Sequence, residues 1–85
     1  MMAYEVHLRD TISDPMADLE EAMRMVEEAG HGMLLSMVQE TIWLPFEVKQ
    51  WKTAAAWGYS NGQWYAIEMH GWSDGKQPVT REEVG

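Results

Sequence analysis

Six carboxylates lie within residues 14–29, and no other group of side chains in this sequence is better suited to recognising charge. They are Asp14, Asp18, Glu20, Glu21, Glu27 and Glu28. Asp14 and Pro15 fit an N-cap and a first helical residue, and Gly30 fits the stop. Such a helix is about 21 Å long with an acid about every 3.5 Å, close to the phosphate spacing of about 3.4 Å along one DNA strand. The pattern predicts either a solvated helix face or a surface that meets a basic partner.

The other reactive side chains do not form a pattern that predicts catalysis or metal binding. Cysteine is absent, and His7, His31 and His70 are scattered. Among the histidines, only His70 shares a predicted strand face with an acid, Glu68. Two such side chains are too few ligands for a metal site. The serines lack a nucleophile motif, and no phosphate-binding glycine loop precedes the acidic helix. We therefore expect no catalytic residue, no metal, no cofactor and no enzymatic activity.

Length and charge narrow the class of protein further. Eighty-five residues, 46 % of them hydrophobic, predict one small domain. The net charge of −8 opposes direct binding to nucleic acid or to an anionic membrane and favours a protein partner with a basic surface. No apolar run reaches about 18 residues and the N-terminus does not resemble a signal peptide, so we expect a cytoplasmic protein, in the host cytoplasm if a phage encodes it.

Period-2 alternation of apolar residues predicts most of the strands. Residues 4–8 alternate, and the apolar run at residues 33–38 favours a buried strand over a short helix. Residues 41–48 alternate again, although Pro45 limits this strand to an edge, a bulge or a break. A competing interpretation starts a helix at Pro45 and continues it through Ala55. Residues 45–56 therefore stay open between strand and helix.

Asn61 and Gly62 predict a tight hairpin, because both central positions of a type I′ turn need positive φ. Pairing outward from this turn sorts the flanking residues onto two faces. One face pairs small residues with large ones, as expected beneath a helix. The other carries the aromatic residues Trp57, Tyr59, Trp64 and Trp72. These aromatic residues predict either a contact surface or a buried layer, and the sequence leaves open whether they or the acidic helix meet a partner.

Together these elements predict a two-layer α+β domain, with an antiparallel sheet of four or five strands and the acidic helix packed on one face. Residues 1–79 form the single domain. Residues 80–85 form a short tail or nascent helix, since Thr80 with Glu83 fits a capping box and Val79 with Val84 a hydrophobic staple. The predicted core consists of Tyr4, Val6, Leu8, Leu19, Met23, Val26, Leu35, Ile42, Leu44, Ile67 and Met69.

In size, acidity, lack of cysteine and lack of catalytic motifs, the chain resembles the small anti-CRISPR and other anti-defence proteins of phages and mobile elements. The resemblance rests on general character and transfers no residue. It implies an inhibitor that blocks a basic nucleic-acid-binding surface of a defence complex, in part by DNA mimicry. The alternative is an immunity or antitoxin-like protein, or an accessory subunit of a larger assembly. In each case we expect a monomer or weak homodimer.

Overall fold

One antiparallel sheet of five strands carries one helix on one face, in a computed structural model that describes residues 2–67 and 76–84. The strands lie across the sheet in sequence order, and each pairs with the next. They are β1 (Met2–His7), β2 (His31–Trp43), β3 (Glu47–Ser60), β4 (Gln63–Ile67) and β5 (Lys76–Val79). Helix α1 (Leu19–Ala29) joins β1 to β2, and a short 3-10 turn (Arg81–Glu83) follows β5. The predicted α+β architecture is thereby confirmed.

The helix begins at Leu19, so the predicted start at Asp14 is wrong. Asp18 is the N-cap, and its carboxylate accepts hydrogen bonds from the backbone N–H groups of Glu20 and Glu21 at 3.0 and 3.3 Å. The preceding segment is extended because Met16 exchanges two backbone hydrogen bonds with Tyr4, at 2.7 and 2.8 Å. Pairing with β1 thus overrides the helix-start signal of Asp14 and Pro15. The predicted stop is correct.

Both outer edges of the sheet are protected. The free edge of β1 is bonded to residues 11–16, where the N–H groups of Tyr4 and Leu8 donate to Met16 and Thr11 and that of Val6 to the Ser13 hydroxyl. The opposite edge strand β5 is short and contains Pro78, which cannot donate a ladder hydrogen bond. These devices limit pairing of the sheet with other strands.

Residues 47–60 form a strand, and the competing helix from Pro45 through Ala55 is wrong. β2 and β3 pair from His31 and Ser60 to Trp43 and Glu47. Residues 44–46 make the connection, which is where the sequence placed a proline. Ala54 has no partner in β2, and this bulge interrupts the register between Ser36 and Met37.

The hairpin at Asn61 and Gly62 has the predicted register wherever the structure describes it. Both residues have positive φ, 51° and 77°, as a type I′ turn requires. Tyr59 pairs with Trp64, and Gly58 pairs with Tyr65. The part of the predicted pairing beyond Ile67 lies outside the described residues.

The core lies between α1 and the face of the sheet that carries Trp57 and Trp64. The sequence suggested that the helix covers the opposite face, with its pairs of small and large residues, and this was wrong. The largest wholly buried side chains are Val6, Val26 and Leu34. The buried cluster consists of Val6, Ala22, Met23, Val26, Leu34, Trp57, Trp64 and Val84.

The predicted core is correct for Val6, Met23 and Val26, while Tyr4, Leu8 and Leu19 pack against the cluster half-buried. Leu44 is 69 % exposed, so its assignment to the core was wrong. Leu35, Ile42 and Ile67 are half-buried and lie outside the cluster. Met69 lies outside the described residues.

The C-terminal segment docks on the helix layer. Val84 is buried in the core cluster and Val79 packs against it. The predicted capping box is present, and in it the Thr80 N–H donates to the Glu83 carboxylate at 3.2 Å. The Thr80 hydroxyl donates to the same carboxylate at 3.0 Å, and the Glu83 N–H closes the backbone turn by donating to the Thr80 carbonyl at 3.0 Å. The short turn therefore holds Arg81 beside α1.

Candidate functional site

The β2–β3 hairpin extends past the rest of the sheet as a two-stranded arm, residues 39–52. In the described ranges, β1 pairs with β2 as far as Val38, and β4 pairs with β3 from Ala56 to Ser60. Within residues 2–67 and 76–84, no third strand flanks the arm. Each strand of the arm is about 20 Å long at 3.3 Å per residue, and the molecule measures 47 Å along its longest axis.

The end of this arm is apolar and exposed. We define the apolar tip as Trp43, Leu44, Phe46 and Val48. Trp43 is 72 % exposed, and Leu44 and Phe46 are each 69 % exposed. Single exposed apolar side chains are ordinary, but a contiguous group of large ones on a projection is typical of a contact surface.

Charge on the arm is balanced. Its titratable side chains are two acids, Glu40 and Glu47, and two bases, Lys49 and Lys52. The tip therefore lies in an electrically neutral part of a strongly acidic chain. Its chemistry suits an apolar groove and gives little attraction to a surface of either sign.

The structure uses three of the six predicted acidic residues internally. Asp18 caps α1. The Arg81 guanidinium donates to Glu20 at 2.6 Å and to Glu27 at 3.0 Å, and the Trp64 indole N–H also donates to Glu27, at 3.2 Å. Hydrogen bonding to Arg81 lowers the pKa of Glu20 from its ordinary value of 4.5. Hydrogen bonding to Glu20, and then to Glu27, raises the pKa of Arg81 above its usual value.

The remaining acids do not form the long row that the sequence suggested. Asp14 is exposed and precedes the helix. Glu21 and Glu28 are exposed on one face of α1, since they are two turns apart, and Arg24 falls on that face between them. The helix itself spans eleven residues, about 16 Å. It therefore offers a short acidic surface that contains a base.

The aromatic residues predicted as a contact surface lie mostly in the core. Trp64 is 3 % exposed and Trp57 is also buried. The Tyr59 ring packs against Trp64, with ring centroids 4.9 Å apart. Of the two predicted alternatives, the buried layer is the one found for Trp57 and Trp64. Trp72 lies outside the described residues.

The face of the sheet opposite α1 is the second uncovered apolar surface in the described part of the chain. This open face consists of Met33, Leu35, Met37, Gly58, Tyr65 and Ile67, assigned by strand alternation and register. A cavity of about 210 Å³ opens at the end of this face, lined by Gly32, Met33, Gly58, Tyr59, Ser60, Tyr65 and Ile67. Gly58 leaves room for the Ile67 side chain, which a Cβ at that position would approach to 3.3 Å.

No cluster of three or more His, Asp or Glu side chains in the described ranges could hold a metal ion. His7 contacts Glu5 on its own strand, and His31 contacts only the Ala29 carbonyl, at 3.2 Å. His70 lies outside the described residues. Within residues 2–67 and 76–84, no helix has the length and apolar character needed to cross a membrane.

Sequence reasoning missed the arm as a site, although a signal was present. Residues 39–41 and 49–52 are mostly polar, so neither face of these segments offers a continuous apolar stripe to a core. Apolar residues return only around Pro45. Two strands that are polar on both faces, joined by an apolar turn with a proline, are typical of a ribbon that projects into solvent.

Comparisons with protein-family models, with curated proteins and with solved structures gave no match.

Proposed function

We propose that the protein is a non-enzymatic binding protein that inserts the apolar tip of its arm into an apolar groove of a protein partner. The observation that carries the proposal is the exposure of Trp43, Leu44 and Phe46 at the end of a two-stranded arm. Large aromatic and aliphatic side chains of this kind contribute strongly when a groove removes them from water.

The exposed arm does not contribute a residue to the core cluster. A two-stranded ribbon is at best marginally stable in water, and open strand edges invite pairing with other chains. The same protein protects both outer edges of its sheet. An arm that projects with an exposed apolar tip therefore fits a site of binding, where a partner covers the tip and can extend the ladder along the β2 edge.

The acidic helix supports a narrower form of the proposal. Glu21 and Glu28 remain available on α1, and a partner with a basic surface around its groove would be attracted to them. The partner would then be a defence complex whose nucleic-acid-binding surface is blocked, as the resemblance to anti-CRISPR proteins implies. An immunity or antitoxin-like protein would use the same two surfaces against a toxin.

The test compares the wild type with a tip variant, Leu44→Ser with Phe46→Ser. Ile12→Ser is the matched control, because Ile12 is 63 % exposed and lies away from the arm. Tagged wild-type and control proteins should capture the same partner from a lysate, and the tip variant should not. With the purified partner, the tip variant should bind at least about 30-fold more weakly.

Capture of the same partner by the tip variant would overturn the proposal. Binding of the wild type to phospholipid vesicles, abolished in the tip variant, would also overturn it, because the tip would then be a membrane-inserting loop. Release of nucleic acid from the captured partner supports the narrower form, and retention of that nucleic acid excludes it.

A further inference from the structure

The open face is apolar and almost free of charge. On β1 to β4 it contains one acid, Glu5, and one histidine, His7, and these two side chains contact each other. On β5, the ladder pairs Ile67 with one base, Lys76. The carboxylates of the helix layer lie on the opposite side of the sheet. They belong to Asp18, Glu20, Glu21, Glu27 and Glu28.

This separation of charge determines which partner fits. Two chains that each carry −8 repel each other unless their contact excludes the acids. Contact through the open faces does so, since both acidic helices would point outward with two sheet layers between them. The sheets alone then separate the helices by more than about 10 Å, beyond the Debye length of about 8 Å at physiological salt.

We propose that a second copy of this chain packs on the open face, sheet against sheet, about a two-fold axis beside Leu35 and Ala56. Strands of the two copies then run antiparallel, and Met33 of each copy faces Met37 of the other. A two-fold interface must be self-complementary, and this face meets that condition with a projecting side chain and a cavity. The inference goes beyond the proposed function, since it concerns a surface separate from the apolar tip.

The projecting side chain is Trp51, at the base of the arm. It lies on the same side of the ribbon as the open face and is exposed. Along the β2–β3 ladder, Trp51 and Ser60 are each four positions from Ala56, on opposite sides. The two-fold axis therefore brings Trp51 over Ser60 of the second copy, beside the cavity of about 210 Å³ that Gly58 and Tyr65 also line.

The five-stranded part alone supplies about half of the area of a standard interface. Strands spaced about 4.8 Å apart and paired over about six residues give the five-stranded part about 400 Å² in projection. A standard interface buries about 800 Å² on each partner. The rest of the buried area comes from the bases of the two arms, where Trp51 makes the contact.

The experiment is sedimentation equilibrium over a range of protein concentrations. The wild type should reach twice the chain mass of 9.8 kDa. Trp51→Ala should weaken dimerisation at least about tenfold, and Met33→Glu should abolish it, because each new carboxylate would be buried without a partner against Met37 of the second copy. Trp43→Ala is the matched control, since Trp43 lies farther out on the arm, and its dimer should be unchanged.

A second measurement tests the orientation. The chain has no cysteine, so Leu44→Cys provides one site for a spin label at the end of the arm. Residue 44 lies nine residues of strand from the axis at Leu35, which is about 30 Å. In the antiparallel dimer the two labels lie on opposite sides of the axis and should be about 60 Å apart. Labels closer than about 25 Å would mean parallel packing or contact between the tips, and would overturn the proposal.

Two further results would also overturn it. One is a wild type that stays monomeric at millimolar concentration. The other is a dimer that persists in Met33→Glu, with circular dichroism showing an intact fold, and dissociates in Trp43→Ala. The second result would move self-association to the apolar tip and would also count against a foreign partner there.

Discussion

At the scale of single residues, the main correction concerns which leucine the fold depends on. Leu34 is wholly buried between α1 and the sheet, whereas Leu44 is exposed in the loop of the arm. Alternation placed Leu44 in the core, because a period-2 pattern indicates a shared face without showing that anything covers it. The sequence did not single out Leu34, which sits in an apolar run that fits either face.

We expect Leu34→Ala to reduce the free energy of unfolding by about 2–5 kcal/mol, since it removes buried methyl groups and leaves a cavity. Leu44→Ala should change it by less than about 0.5 kcal/mol. Urea denaturation of the two variants measures both. A Leu44→Ala protein as unstable as Leu34→Ala would show that the arm folds back on the core.

The Glu20–Arg81 contact makes a pH-dependent contribution to stability. Arg81 lowers the pKa of Glu20 in the folded state, so the folded chain binds a proton there less readily than the unfolded chain. This stabilisation is present above the ordinary pKa of 4.5 and is lost as the pH falls through the lower, folded-state pKa.

Removal of the charge should therefore flatten the acid limb of the stability curve. We expect Glu20→Gln to lose less stability than the wild type as the pH falls below 4.5. Glu21→Gln is the control, because Glu21 lacks a contact with Arg81, and it should follow the wild type. Denaturation at a series of pH values tests this, and equal slopes for Glu20→Gln and the wild type would contradict it.

At the scale of elements, the start of α1 shows why a local signal can be overridden. Asp14 followed by Pro15 is a good N-cap, but the Tyr4–Met16 hydrogen bonds require an extended backbone, and the cap moves to Asp18. We expect Asp18→Ala to cost about 1 kcal/mol of stability. Asp14→Ala should cost less than about 0.5 kcal/mol. Thermal denaturation that ranks them in the reverse order would place the helix start at Asp14.

Apart from the Asp14-Pro15 cap, the signals that depend on neighbours in sequence were reliable. The Asn61-Gly62 turn, the Gly30 stop and the Thr80–Glu83 box each involve residues at most a few positions apart, and the structure has all three. The choice of the sheet face covered by α1 was unreliable, because both faces of the β3–β4 hairpin combine small and large residues. That choice depends on contacts between distant segments.

The docking of the C-terminal turn on α1 was likewise not predictable from the sequence. Arg81 reaches Glu20 and Glu27 across more than fifty residues of sequence. Nothing in the spacing of these residues indicates the contact. It changes the interpretation of the acidic helix, because two carboxylates expected on a partner-binding surface are neutralised within the molecule.

At the scale of the whole molecule, the two candidate contact surfaces differ in how salt should affect them. In the proposed binding, the apolar tip would remove apolar surface from water, an effect that salt does not screen. Glu21 and Glu28 act through charge, and the Debye length falls from about 10 Å at 0.1 M to about 3 Å at 1 M. The contacts of the acids on α1 also decide which of them to reverse, since reversal of Asp18, Glu20 or Glu27 would disturb the cap or the Arg81 contact.

We therefore expect the Glu21→Lys and Glu28→Lys double variant to bind a purified partner with a slower association rate and a nearly unchanged dissociation rate. The difference from the wild type should shrink as salt rises. The Leu44→Ser and Phe46→Ser double variant should instead dissociate faster at every salt concentration, because the contacts it lacks are made only after docking. Surface plasmon resonance at 0.1 M and 1 M salt measures both rates for each protein. Loss of all binding in the charge variant, together with an unaffected tip variant, would assign the contact to the acidic helix and make mimicry of nucleic acid the better account.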